Sequence, residues 1–75
     1  MKSLSDFVKE RRKKASLTQE ELADKSGVAL TVIRKIEQGH GNLNLEKVNQ
    51  VLKMFGHELA PVSRKELDNQ NNPIP

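Results

Sequence analysis

The sequence predicts an all-α fold, and three observations carry that prediction. Apolar residues recur at helical spacing as far as Phe55, glycines interrupt the pattern at positions 27, 39, 41 and 56, and residues suited to capping stand ahead of the apolar runs. Four or five helices result. In 75 residues there is room for one domain with a thin core, so support from a second copy is expected from the outset.

The first helix spans about Leu4 to Lys14, with Ser3 as N-cap, Asp6 as a favourable charge in the first turn, and Phe7 and Val8 on the buried side. The second has the clearest start. Thr18 and, three residues on, Glu21 form a capping box in which each side chain satisfies the other's free backbone N–H. It ends near Ser26, and Gly27 supplies the positive φ that a tight turn requires. The third runs from about Ala29 to Gln38, with Ile33 and Ile36 as its inward pair, Val32 beside them, and Gly39 and Gly41 closing it. The fourth opens at Asn44, with Leu43 placed to staple against Val48. Val48, Val51, Leu52 and Phe55 form one apolar stripe, and Gly56 stops it.

From His57 to Ser63 the chain is too short and too interrupted by Pro61 for a helix, and a short edge strand is the expectation. From Arg64 onward the composition turns to Lys, Glu, Asp, Asn, Gln and Pro, which bury too little apolar surface to offset ordering entropy. Residues 1–63 are thus read as the domain and 64–75 as a flexible tail.

Composition narrows the function. Hydrophobic residues at 35% and charged residues at 31% place the chain among soluble globular proteins, and no apolar run approaches membrane-spanning length. The polar opening MKSLSDF lacks the apolar stretch of a secretory signal. The absence of cysteine removes disulfides, thiol catalysis and cysteine-type zinc sites, and a cytoplasmic location fits both facts. His40 and His57 have no carboxylate at a convincing spacing, so no metal, cofactor or enzymatic activity is expected. The net charge is +3, and nine of the thirteen Lys and Arg residues lie in the first 35 positions, including the run Arg11, Arg12, Lys13, Lys14. Such a run either meets a polyanion or is a solvated helix end whose dipole it complements.

The stretch from Thr18 to Gln38 carries the function. Two short helices joined by a glycine-containing turn make a helix-turn-helix, in which the first helix braces the second against a duplex. Ala23 is the small residue where the helices cross, Gly27 stands at the turn, and Val28, Ile33 and Ile36 lock the second helix. Any helical hairpin needs such residues at its crossing, so the spacing alone leaves a purely structural hairpin open.

The segment LTQEELADKSGVALTVIRKIEQG resembles the Cro and phage-repressor (XRE) class of helix-turn-helix domains, with similarity over residues 4–56. The resemblance implies a five-helix lambda-repressor-like DNA-binding domain. It implies that Gln19, after Thr18, touches a phosphate at the groove edge, the alternative being a solvent-exposed neighbour of the cap. It implies a structural pair between Arg12 and Glu37, whose alternative is two exposed charges worth under about 1 kcal/mol. It also implies base reading from the first turn and outward face of the third helix, by Ala29, Leu30, Thr31, Arg34 and Lys35.

Arg34 or Lys35 suits guanine O6 and N7, Thr31 a base or phosphate, and Ala29 or Leu30 a thymine methyl. The best-known members of the class carry glutamines at the start of this helix and this chain does not, so solvated cations at 34 and 35 and a buried Leu30 stay as alternatives. After the third helix, the loop holding His40 and Asn42 offers backbone amides to phosphate, a contact that positions without reading sequence.

The wider pattern FVKERRKK, LTQEELADKSGVALTVIRKIEQG and NLEKVNQVLKMFGHEL is similar to the HipB-type antitoxins over residues 4–63. That similarity implies a homodimer in which the strand near 57–63, with Leu59, Ala60 and Val62, pairs with its copy. It also implies an inverted-repeat operator in the protein's own promoter and a HipA-like kinase toxin as partner. A free-standing repressor and a protein-interaction adaptor of the same fold are the competing readings.

Overall fold

The computed structural model describes residues 2–65 and 67, and arranges them as four helices: α1 (Leu4–Lys14), α2 (Gln19–Ser26), α3 (Leu30–Gln38) and α4 (Leu45–Lys53). Three starts are capped as the sequence predicts. Ser3 Oγ accepts from the Asp6 N–H at 3.1 Å and Asn44 Oδ1 from the Lys47 N–H at 3.1 Å. Thr18 and Glu21 close the reciprocal box, with Thr18 Oγ1 accepting at 3.0 Å and Glu21 Oε1 at 2.9 Å. The third helix begins one residue later than expected, because Ala29 is its N-cap and offers no side-chain acceptor.

Three of the helix ends follow one device. After α3, the Gly39 and His40 amides return to the carbonyls of Ile36 and Lys35; after α4, the Gly56 and His57 amides return to Lys53 and Leu52. Each pair satisfies orphan carbonyls through a left-handed residue, at φ 77° for Gly39 and 71° for Gly56. After α1 the same pattern uses the Ser16 and Leu17 amides, on the carbonyls of Lys13 and Arg12, and places Ser16 at φ 58° without being glycine.

One core forms where α3 packs between α1 and α2 and α4 closes the far side. Val8, Leu22, Ala23, Val28, Ile33, Ile36, Val48, Val51 and Leu52 are buried in it, and Phe7, Leu17, Leu43 and Phe55 pack on its rim. Each fully buried aliphatic side chain contributes about 1.5–3 kcal/mol, and α3, which packs on all three other helices, is the mechanical centre of the domain.

Two expectations need correction. The described residues hold four helices rather than five; beyond α4 they show only a helical turn at Arg64, Lys65 and Leu67, held by the Leu67 N–H on the Ser63 carbonyl. Nor do they contain a strand at 57–63. A strand needs a neighbour to complete its ladder, and the described residues offer none; instead the Leu59 N–H donates to Asn49 Oδ1 at 2.7 Å, and Leu59 packs against the core. Most of the tail expected to be flexible, residue 66 and residues 68–75, lies outside the described residues.

Candidate nucleic-acid interface

Glu37 is where three helices meet. Its carboxylate is buried on the inner face of α3 and takes Arg12 of α1 in a two-point contact, Nε to Oε2 at 2.7 Å and Nη2 to Oε1 at 3.0 Å. Gln19, the first residue of α2, donates from Nε2 to Oε1 at 3.2 Å. Ser5 Oγ donates to the Glu37 carbonyl at 2.5 Å, and Arg12 Nη1 donates to the Leu17 carbonyl at 2.8 Å, just ahead of the α2 cap. The side chains of Arg12 and Glu37 are only 13% and 3% exposed, so the reading of two solvated charges fails. Burial by itself pushes the Glu37 carboxyl up; hydrogen bonds from Arg12 and Gln19, with the charges of Arg12 and Lys9, outweigh it and hold the group below the ordinary glutamate range. The same bond raises Arg12.

With its inner face held this way, α3 turns its other side to solvent. Thr31, Arg34 and Lys35 are exposed, no ion pair among the described residues engages either cation, and Ala29 is exposed at the helix start. Thr18, Gln19, Leu30 and Arg34 line a shallow depression between the starts of α2 and α3. Leu30 is half-buried and packs partly on the core, so its side chain is shared between the interior and this depression. The turn is built as the motif requires: Ala23 and Val28 are buried, and Gly27 is left-handed at φ 77°.

The loop after α3 departs from expectation. The amides of Gly39 and His40 are spent on the α3 carbonyls, which leaves Gly41 and Asn42 as the backbone donors of that loop. The His40 ring stands 3.0 Å, Nε2 to Oε1, from Gln38, and both His40 and Asn42 are exposed. Leu59, Ala60 and Val62 divide: Leu59 is half-buried, while Ala60 and Val62 are exposed, as is Leu45 on α4.

Sequence reasoning missed the second partner of the Glu37 carboxylate. Gln19 is the first residue of α2, and nothing in its spacing signals that it turns toward α3. It also missed Gln50 on α4, whose amide reaches the turn between α2 and α3. Among the described residues no group of three or more His, Cys, Asp or Glu gathers to hold a metal ion, and no helix is long and apolar enough to cross a membrane.

The family model described as helix-turn-helix matches residues 8–60 of the chain. No curated protein and no solved structure matches it.

Proposed function

The chain belongs to the helix-turn-helix family of DNA-binding transcription regulators, and from that premise we propose that it is a sequence-specific repressor that inserts α3 into the major groove of an operator. One observation carries this reading: the outward face of α3 presents Thr31, Arg34 and Lys35 to solvent while its inward face is fixed by Ile33, Ile36 and Glu37. A rigid helix with unengaged donors on one side is what base-edge recognition requires. In this reading Arg34 and Lys35 read bases and Thr31 reads a base or phosphate, with Ala29 and Leu30 against thymine methyls. Gln19 keeps its second amide proton for a phosphate, and His40 and Asn42 lie beside the backbone.

The working unit is a homodimer on an inverted repeat. Leu45 is 69% exposed and Val62 43% exposed, apolar surface that a second copy would cover together with Ala60. Two-fold symmetry then sets recognition helices about 34 Å apart, on successive major grooves. The finer assignment, to a cytoplasmic antitoxin that represses its own operon and binds a HipA-like kinase toxin, rests on the similarity to HipB-type antitoxins. A kinase-like adjacent open reading frame supports it, and a neighbour of another kind leaves a free-standing repressor.

Selection from a random-sequence duplex pool, followed by a salt titration, tests the central claim. The selected duplex is expected to bind more tightly than its scrambled counterpart, with affinity falling linearly in logarithmic salt as counterions are released. Equal binding of the two duplexes rejects the repressor and favours the adaptor.

A further inference from the structure

We propose that Gln50 is a positioning residue for DNA recognition: from α4 it holds the turn between α2 and α3 and thereby sets the angle at which α3 is presented. Its side-chain amide Nε2 lies 3.0 Å from the Ser26 carbonyl and 3.3 Å from the Gly27 carbonyl. An amide nitrogen carries two protons, so one side chain serves both acceptors.

These carbonyls belong to the last residue of α2 and to the left-handed glycine that ends it. They lie at the negative pole of the helix dipole and have no backbone donor among the described residues, whereas the Ala23 and Leu22 carbonyls are served from within the helix end. The Gly27 N–H donates to Ala23, and Ser26 Oγ donates to Leu22 at 2.7 Å. The fit is close: a Cβ added at Gly27 would lie 3.1 Å from Gln50 Nε2.

The consequence concerns geometry more than affinity in general. Ala23, Val28 and Ile33 hold the two helices together by packing, which is non-directional, but the turn dihedrals decide where Thr31, Arg34 and Lys35 point. Two directed hydrogen bonds from α4 restrict those dihedrals. The inference rests on the DNA-binding reading for its functional part, and on the turn contacts alone for its structural part.

The experiment uses the full chain and three substitutions. Gln50→Met keeps length and packing but removes both donors, Gln50→Ala removes the side chain, and Gln50→Lys restores a donor. With the duplex enriched by the wild type and its scrambled counterpart as probes, Gln50→Met and Gln50→Ala are expected to weaken matched binding about tenfold. Unmatched binding, set by phosphate charge, is expected to stay within about twofold. Gln50→Lys is expected to recover the ratio of matched to unmatched binding. A wild-type ratio in Gln50→Met overturns the proposal, as does an equal loss on both duplexes, which reports only a smaller folded fraction.

Hydrogen exchange provides a readout without DNA. The Gly27 amide is expected to exchange about tenfold faster in Gln50→Met while the Val8 amide in α1 is unchanged. If the wild type enriches no duplex, the DNA-binding reading falls and this measurement alone decides whether Gln50 holds the turn; equal rates at Gly27 in the two proteins overturn it.

Discussion

Arg12 and Glu37 are joined at two points, 2.7 and 3.0 Å, across the space between the first and third helices, and both side chains are largely withdrawn from water. A planar guanidinium matched to a carboxylate fixes orientation as well as distance. The pair therefore sets how α3 lies on the domain, and its worth is best read from what happens when one half is removed.

Glu37→Ala is expected to destabilise the domain by about 3–5 kcal/mol, because it leaves the Arg12 charge buried without a partner. Urea unfolding followed by circular dichroism measures this. Replacing both residues with apolar ones of similar size is expected to cost much less than the single change, and a double variant as unstable as Glu37→Ala contradicts the account.

The same carboxylate gives an acid limit. Its pKa in the folded chain is held below the ordinary glutamate value of 4.5, so the stability it contributes is fully present above about pH 4.5 and is lost as pH falls through the lower folded value. Thermal midpoints are expected to be insensitive to this group at neutral pH and to drop below that point. In Glu37→Gln the part of the acid slope due to this residue disappears.

Arg34→Ala is expected to weaken binding to the selected operator by about 1–3 kcal/mol with the bias falling on one base position. Because Arg34 is exposed and engages no carboxylate among the described residues, thermal stability is expected to change by no more than about 0.5 kcal/mol. Loss of stability in step with affinity would contradict a base-reading role.

Ser16 predicts a gain. A non-glycine residue in the left-handed region costs about 1–2 kcal/mol, and glycine relieves that at some expense in unfolded-chain entropy. Ser16→Gly is therefore expected to raise stability by about 0.5–1 kcal/mol, read as a higher urea midpoint at unchanged slope. Gly27→Ala is expected to move the other way, since φ is 77° and the new methyl meets Gln50 at 3.1 Å.

Much of the fold was legible in the chain because its causes are local. Caps at Ser3, Thr18 and Asn44 satisfy amides three residues away, and glycines at 39 and 56 end helices by a backbone rule that needs no tertiary knowledge. Ser16 escaped the same rule because serine does not advertise a positive φ. The strand expected at 57–63 rested on the segment being too short and too interrupted by Pro61 for a helix, which says nothing of a neighbour to pair with.

Sequence by itself determined the helices, the inward pair Ile33 and Ile36, and hence the outward face at Thr31, Arg34 and Lys35, because a 3.6-residue period divides one face from the other. Only the tertiary structure decided that Gln19 turns to Glu37 and that Gln50 reaches the turn. Those contacts join residues 18 and 24 positions apart. Hydrogen bonds of that kind depend on where packed helices place an atom within a few tenths of an ångström, which periodicity does not encode.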